Sequence, residues 1–348
     1  MTTSAYFLLI LFYSAFFVCY SYANENDPAP KGAIVINLAG TPKLSKYFEW
    51  SCRSIQASSP MFDMIVFHEG HEDVNSLTCA SNVIFVDLGE FGFSELVVRK
   101  ILSKDNSIIS EDARLSIVKL INNVITSIPR YIVELKPMTG EVFQEWLKGY
   151  SHWTYSDPDI LWGNLCNWID IDELTKYDVL TISKVMDAGR LFLRGQFSLH
   201  RNVDLYNTLW RQLEYFNHQN LIKRLGASLL EMKTDKTADE IFDKYFFSAE
   251  GIYSTLVFST SSTNKQFVGV KIAGRAFDDY SRYPVVQIAG SLYRCSSYSL
   301  LECIPELILA WDQLSKAGVS ALPEMVVTAA QSFVHETVCR MQVSACSR

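Results

Sequence analysis

The sequence has little positive charge and no block of basic residues. Lysine and arginine total 31 against 38 aspartates and glutamates, which gives a formal net charge of −7 at pH 7. Proteins that hold the phosphate backbone of DNA or RNA need clustered lysines and arginines. We therefore expect no nucleic-acid partner.

The sequence also lacks a Cys-x-x-Cys pair, an Asn-x-Ser/Thr glycosylation site and any internal repeat. A structural zinc site is therefore not expected. Of the eight cysteines, only Cys19 lies in the N-terminal apolar segment, and the rest are an odd number. In an oxidising compartment some should form disulfides, with at least one left free or intermolecular. Spacing alone does not assign the pairs.

The N-terminal segment is apolar and uncharged from residue 6 to residue 20, and the small-x-small pattern at Ser21–Ala23 follows it. This length is shorter than the roughly 20 residues of a spanning helix. We expect residues 1–23 to be a signal peptide cleaved after Ala23, or a short signal anchor that holds the chain to a membrane through residues 5–22. Both alternatives predict the secretory pathway (Golgi or ER lumen) or secretion.

Hydrophobic residues make up 49% of the chain, so a packed core is expected. Residues 24–32 form a polar linker, and residues 33–348 are predicted to be a single domain with a helical C-terminal part. Short apolar runs at 33–39, 62–69 and 81–89 predict strands, with a helix over 44–52 between the first two. This order predicts an α/β fold with parallel strands and flanking helices.

Later segments give further predictions. Apolar spacing predicts helices over 94–128, 136–150, 204–225 and 323–341. Alternating and β-branched runs predict strands over 152–155, 177–183 and 190–202, and a late strand pair over 251–262 and 265–274.

Two aspartates, Asp157 and Asp159, follow the strand at 152–155. Ligands of open α/β sheets bind at the carboxyl ends of strands. Carboxylates at this spacing suit a hard divalent cation such as Mn²⁺ or Mg²⁺, which could neutralise the phosphates of a nucleotide-sugar. The alternative is a solvated turn, because Asp and Pro are common in turns.

Residues 31–205 resemble a poorly characterised family of GT-A-type glycosyltransferase-like proteins with an Asp-x-Asp motif. The matching segments, in family order, are FEWSC (48–52), MIVFHE (64–69), ELKPMTG (134–140), FQEWLKGYSHWTYSDPDILWGN (143–164), YDVLTIS (177–183) and GQFSLHRN (195–202). The resemblance implies a GT-A-like, mixed and mainly parallel sheet. It also implies transfer of a sugar from a nucleotide-sugar (UDP- or GDP-linked) to a glycan, protein or lipid acceptor.

The resemblance implies roles for individual residues. Asp157 and Asp159 would bind a divalent metal with the donor diphosphate, and Lys136 would offset phosphate charge. Arg201 would orient an acceptor or brace the metal loop, with an ordinary ion pair as the alternative. Gly195 and Asn202 align with the same late family segment. Nucleotide base and ribose would lie near three residues at the end of the first strand, namely Asn37, Gly40 and Thr41. The alternative is that Gly40 and Thr41 are ordinary turn residues.

The sequence departs from the family pattern at several positions. His68 and Glu69 replace its Thr-Asp, and Glu134 replaces an aspartate; the remaining departures are Tyr131 for a lysine, Thr154 for a glycine and Asn164 for an aspartate. These changes favour a second hypothesis, a catalytically inactive GT-A-like protein that binds glycans or proteins in the lumen or outside the cell.

An inverting transfer needs a base for the acceptor hydroxyl. Glu250 and Asp187 are the candidate catalytic acids, with an ordinary surface residue as the alternative for each. His335 is a candidate late metal ligand, although a structural helix histidine is the alternative. A glycosidase is a third hypothesis, but its two carboxyl groups must flank a bond about 5–10 Å apart, which suits distant acids better than an i, i+2 pair.

Overall fold

The computed structural model describes residues 29–41, 44, 48–104, 109–184, 193–246 and 249–263, and the strands at 268–273, 285–288, 291–295, 303–306 and 308–310. The predicted signal segment, Asp187, the predicted helix over 323–341 and His335 lie outside the described residues. Among the helices that are described, none has both the length and the apolar character needed to span a bilayer.

The described chain contains twelve strands and nine α-helices, together with 3-10 helices. The strands are β1 (Gly32–Asn37), β2 (Phe62–His68), β3 (Val83–Asp87), β4 (His152–Ser156), β5 (Ile160–Trp162), β6 (Val179–Lys184), β7 (Ser198–Arg201), β8 (Val268–Ala273), β9 (Val285–Ile288), β10 (Ser291–Cys295), β11 (Cys303–Glu306) and β12 (Ile308–Ala310). The α-helices are α1 (Phe48–Ser54), α2 (Gly92–Lys104), α3 (Glu111–Ser127), α4 (Thr139–Val142), α5 (Ile171–Lys176), α6 (Asp204–Thr208), α7 (His218–Glu231), α8 (Ala238–Tyr245) and α9 (Ala249–Thr263).

The main sheet has seven strands in the order β3-β2-β1-β4-β7-β6-β8. Neighbours β1, β2, β3 and β4 are parallel, and so are β6 and β8. Strand β7 alone runs antiparallel, against both β4 and β6, among the described strands of this sheet. The predicted fold class, a mixed and mainly parallel sheet flanked by helices, is confirmed.

The parallel strands are apolar in sequence because both faces of the sheet are covered. On β1, Ala33 and Val35 join the core on one face, and Ile34 and Ile36 join a second core on the other. Successive side chains of a strand point to opposite faces, so a doubly covered strand must be apolar at every position. Its unbroken apolar run therefore predicted this strand correctly.

Helix α3 packs beside the carboxyl end of β1. Its N-terminus is capped by Ser110, whose side chain accepts the N–H of Ala113 at 3.2 Å. The apolar stripe that it buries is Val118, Ile121, Val124 and Ile125. The predicted helical stretch over 94–128 is thereby confirmed as α2 and α3.

The predicted helix over 136–150 is wrong in its form. The chain makes a 3-10 helix at Pro129–Met138 and then the single turn α4. Pro137 lies inside this 3-10 helix and has no N–H to donate, so a regular α-helix does not pass through it. Lys136 consequently stands near the carboxyl end of the 3-10 helix.

The predicted helix over 204–225 is also interrupted. It is divided into α6, two 3-10 turns and α7. Asn217 starts α7, because its side-chain oxygen accepts the N–H groups of Gln219 and Asn220. Asn217 therefore ends a 3-10 turn and begins α7, although the spacing of apolar residues continues through it.

The strand predicted over 251–262 is wrong, because these residues belong to α9. Hydroxyl groups here bond to carbonyl oxygens four residues earlier: Ser254 to Glu250 at 2.5 Å and Ser259 to Thr255 at 2.8 Å. Packing of α9 against the core overrides the β preference of its residues. The second strand of the predicted pair, over 265–274, is observed as β8, and β8 pairs with β6.

Candidate functional site

The order of the sheet creates a crevice between β1 and β4. From β1 the chain adds β2 and β3 toward one edge, and then β4 pairs with the other side of β1. At such a reversal the connections leave in opposite directions, and the crevice outside the strand ends takes ligands in open α/β sheets. A ligand site is therefore expected beyond Asn37 and Ser156, the last residues of the two strands.

A cleft lies at this place. It encloses about 460 Å³ out to its open mouth. The end of β4 and the residues after it form one wall, and the 3-10 helix with α4 forms the opposite wall. Its lining residues are Val35, Asn37, Phe93, Ile132, Leu135, Lys136, Thr139, Val142, Phe143, Tyr155, Ser156, Asp157 and Pro158.

Lys136 and Asp157 form an ion pair across this cleft. The Lys136 Nζ lies 2.6 Å from Asp157 Oδ1 and donates to the Gly195 carbonyl oxygen at 2.8 Å. Burial alone would lower the pKa of Lys136, but the nearby charges of Asp157 and Glu250 outweigh it and raise that pKa above its ordinary value. The ammonium group is therefore charged at neutral pH and faces the cleft.

Glu250 lies behind this ion pair. Its Oε1 is 3.7 Å from Lys136 Nζ, and this buried oxygen has no hydrogen-bond partner. Burial raises the pKa of Glu250 to about 7, although the charge of Lys136 opposes the shift. The structure thus brings this candidate acid to the cleft, beside the first aspartate of the pair. An acid whose pKa is near neutrality can lose or accept a proton at the pH where most enzymes work.

Asp159 follows Asp157 in the turn between β4 and β5. Its negative charge also raises the pKa of Lys136. No set of three or more His, Cys, Asp or Glu side chains within the described residues could hold a metal ion by itself. Mg²⁺ and related ions are often bound by one or two protein carboxylates that share the ion with substrate phosphates. Asp157 and Asp159 are two carboxylates of the kind that such a shared site uses.

The three residues predicted for the nucleotide base and ribose divide into two groups. Asn37 lines the cleft, and its side chain also accepts the N–H of Ala39 at 3.0 Å. Gly40 and Thr41 form a turn in which Thr41 donates to the Leu38 carbonyl, and neither residue is part of the described cleft wall. Only Asn37 is positioned to face a ligand in this cleft.

The prediction for Arg201 requires a correction, because Arg201 lies at the opposite end of the strands from the cleft. In the antiparallel pairing of β7 with β4, Arg201 is opposite His152, the first residue of β4. The cleft is at the other end of β4. Arg201 instead pairs with Asp178 at 2.6 Å and donates to the Thr175 carbonyl. The alternative of an ordinary ion pair is the one observed.

The residues that depart from the family pattern serve packing and capping. Tyr131 is fully buried, as is Thr154, whose hydroxyl oxygen accepts the N–H of Ser198 at 3.0 Å. Asn164 caps a 3-10 turn. Glu134 is buried and accepts hydrogen bonds from the Tyr215 hydroxyl and from the N–H of Ala249, the first residue of α9. Burial raises its pKa to about 7.

Sequence reasoning left two contributors to the site without a role. Gly195 gives its carbonyl to Lys136, and a Cβ atom at this position would lie 2.3 Å from Glu250 Oε1. Gln196 approaches Asp157 Oδ2 at 3.5 Å. The glycine of the GQFSLHRN segment was the available signal for the first, whereas no local pattern marks the second.

Comparisons with known proteins add the following. A family model described as a family of unknown function (DUF6625) matches residues 116–284, which contain Lys136, Asp157, Asp159 and Glu250. A comparison with curated protein sequences finds no match.

Several solved structures of glycosyltransferases are similar to this chain. Mouse xyloside xylosyltransferase 1 in its apo form is 11% identical over 70% of this chain and 85% of its own, with a TM-score of 0.34. The galactosyltransferase LgtC with donor and acceptor sugar analogues is 13% identical over 69% and 73%, with a TM-score of 0.29. The glycosyltransferase GlyE of Streptococcus pneumoniae TIGR4 is 12% identical over 68% and 50%, with a TM-score of 0.27.

Proposed function

We propose that this protein is a glycosyltransferase of the secretory pathway that uses a nucleotide-sugar donor and Mn²⁺ or Mg²⁺. The observation that carries the proposal is the cleft at the β1/β4 reversal, where Lys136 and Asp157 meet at 2.6 Å beside the buried Glu250. The resemblance of residues 31–205 to a GT-A-type family supports the same chemistry. The acceptor would be a glycan, a protein or a lipid.

Each side chain has a role in this proposal. Asn37 lies on the wall where the nucleoside would bind, and Lys136 places a positive charge where a diphosphate would lie. Asp157 and Asp159 would hold the divalent ion, which when bound neutralises charge on the leaving diphosphate. Lys136 already pairs with Asp157. When the donor binds, the ammonium group would therefore share its hydrogen bonds between the carboxylate and the phosphate oxygens.

Glu250 would take the acceptor proton if the transfer inverts the sugar. Its raised pKa means that the carboxylate form, which is the base, is populated only above about pH 7. The charge of Lys136, 3.7 Å away, favours this ionised form. A retaining transfer would leave Glu250 with the role of holding Lys136.

A second candidate function is an inactive lumenal or secreted binding protein with the same fold. The observation that favours it is the Lys136–Asp157 ion pair, because an ammonium group beside this carboxylate competes with a metal ion for the same oxygen. Such a protein would bind a ligand in the cleft without any dependence on a divalent ion.

Calorimetric titration of the full-length chain, purified in mild detergent, tests the proposal. We expect one UDP- or GDP-sugar to bind with Mn²⁺ or Mg²⁺ and to lose at least tenfold in affinity with EDTA. The double variant Asp157→Asn, Asp159→Asn should lose the metal-dependent part. Arg201→Gln is the matched control and should bind as the parent does, because Arg201 lies beside the first residue of β4, at the end of the strand away from the cleft.

The outcomes separate the two candidates. Binding that is unchanged by EDTA and by the double variant would favour the inactive binding protein. If the folded chain bound no nucleotide-sugar under any condition, the glycosyltransferase proposal would be overturned. Loss of binding in Arg201→Gln would show that the cleft has been assigned to the wrong edge.

A further inference from the structure

Two cysteines meet at a place away from the cleft, between α1 and the segment that leads into β3. The N–H of Ala80 donates to the Cys52 carbonyl at 3.3 Å. The side chain of Arg53 donates to the Thr78 carbonyl at 2.9 Å. Cys79 lies between Thr78 and Ala80, so these two hydrogen bonds hold the residues on both sides of it against α1, next to Cys52.

The two thiols are in contact in this arrangement. Cys52 and Cys79 are both in the thiol form, and Cys79 packs against the core cluster that contains Cys52. Cys52 is fully buried on α1 and belongs to the core that covers one face of the sheet, whereas Cys79 is partly exposed. A disulfide needs neighbouring side chains whose backbones are already close. The hydrogen bond from the Ala80 N–H to the Cys52 carbonyl brings the backbone next to Cys79 close to that of Cys52.

We propose that Cys52 and Cys79 are a disulfide site, and that oxidation links α1 to the β2–β3 connection. With a small-molecule disulfide such as oxidised glutathione as the oxidant, the two thiols lose two hydrogens and the glutathione disulfide is reduced to two molecules of glutathione. One sulfur–sulfur bond breaks in the oxidant and one forms in the protein. The cross-link closes the segment 52–79, which contains β2.

The chemistry of the pair predicts the order of the two steps. The hydrogen bond from Cys52 is the main cause that lowers the pKa of the Cys79 thiol, although burial and the charge of Glu49 oppose it. The same contact with Cys79, together with burial, raises the pKa of Cys52 well above its usual range. Cys79 is also the more exposed thiol. It therefore attacks the oxidant first, and Cys52 then displaces glutathione from the mixed disulfide.

Peptide mapping tests the site directly. The full-length chain is purified under reducing conditions, exposed to oxidised glutathione, alkylated and digested with trypsin without reduction. Cleavage after Lys46, Arg53 and Arg99 places the two thiols in separate peptides, 47–53 and 54–99. We expect these two peptides to be recovered as one disulfide-linked species in most of the protein. After a short exposure, Cys79 should carry glutathione before the link is complete.

Variants and controls make the result decisive. Cys79→Ser should abolish the linked species, whereas Cys166→Ser should leave it intact; the Cys166 thiol donates instead to the Ser58 carbonyl, at 3.8 Å. Reduction of the oxidised parent should lower its Tm by about 5 °C or more, because a closed loop of this length restricts the unfolded chain. The proposal is overturned if both thiols of the folded, oxidised parent are alkylated. It is equally overturned if Cys79 stays glutathionylated or links to another cysteine.

Discussion

The charged group at the centre of the cleft is a buried cation with several carboxylates around it. Lys136 lies between Asp157 and Glu250; the side chains of Lys136 and Glu250 are 10% and 16% exposed, and that of Asp157 is 26% exposed. Ions in such a place lose hydration, and this loss offsets much of their mutual attraction. A cluster of this kind contributes little net stability, which is consistent with a role in binding or catalysis. The effect of removing one partner is therefore informative.

Replacing Glu250 with glutamine should change how stability depends on pH. The ordinary pKa of 4.5 is raised to about 7 in the folded chain, with burial as the main cause. Between these values the folded state keeps the proton and the unfolded state releases it, so Glu250 removes stability as pH rises through this window. The parent should thus lose up to about 3 kcal/mol relative to Glu250→Gln from pH 4.5 to 7, and nothing further above pH 7.

Urea denaturation of both proteins at half-unit pH intervals measures this difference. Buried histidines such as His200, whose pKa is lowered to about 3 by burial, contribute equally to both and cancel. The matched control is Glu231→Gln, because Glu231 forms ion pairs away from the cleft, and hydrogen bonds from Lys244 and Lys236 lower its pKa to about 2. Its difference curve should be flat above pH 5. A flat curve for Glu250→Gln would contradict the assigned burial.

At the scale of elements, the turn after β1 decides how close α3 can approach the sheet. Gly40 has φ +67°, and a Cβ atom there would lie 2.1 Å from Ile125 Cγ2 of α3. Both the backbone conformation and the contact favour glycine at this position. The sequence suggested a ligand role for Gly40, whereas the structure supplies a packing reason for it.

Gly40→Ala should destabilise the fold by about 2–4 kcal/mol, since it adds a steric clash to the strain of a positive φ. Gly70→Ala is the matched control, because Gly70 has φ +70° and no atom within 4 Å of its Cβ position. This control should lose only about 1 kcal/mol. Denaturant titration with tryptophan fluorescence gives both values. Equal losses would mean that the contact with α3 does not decide the identity of this residue.

Element direction also explains why the sequence placed Arg201 wrongly. The segment 195–202 begins at the cleft with Gly195 and runs antiparallel to β4, so its end reaches the amino-terminal edge of the sheet. The sequence of a motif does not show whether its strand runs parallel or antiparallel to the neighbouring strands. Gly195 and Arg201, only six positions apart, therefore lie at opposite ends of β4.

At the scale of the whole molecule, the cleft is assembled from segments that are far apart in the chain. Residues of β1, the 3-10 helix, α4 and β4 line it, and the apolar ones among them pack into the core that covers one face of the sheet. A ligand that contacts all four would bind the folded chain and not the unfolded one. Binding should therefore raise global stability by mass action.

Thermal unfolding with a nucleotide-sugar and Mn²⁺ should show this linkage. At a free ligand concentration of 100 times Kd, we expect the free energy of unfolding to rise by about 2.7 kcal/mol. Scanning calorimetry measures the accompanying rise in Tm. The Asp157→Asn, Asp159→Asn variant should show no rise with the same additions. A metal-only increase that occurs equally in both proteins would contradict a shared donor and metal site.

The sequence by itself determined the strands of the parallel half and the position of the two aspartates at a strand end. It could do so because a strand buried on both faces is apolar at every position, and this is a local pattern. It failed over 251–262 because burial against the core overrode local β preference in α9. It also failed over 204–225, where Asn217 begins a new helix inside a periodic pattern.

Only the tertiary structure decided which distant residues meet. Lys136, Asp157, Gly195 and Glu250 come from four separate segments, and strand order and direction bring them within hydrogen-bonding or ion-pairing distance. The same directions carry Arg201 away from the cleft. The spacing of apolar residues shows which face of each element is buried. It does not show which elements become neighbours, because that depends on the order of the strands in the sheet.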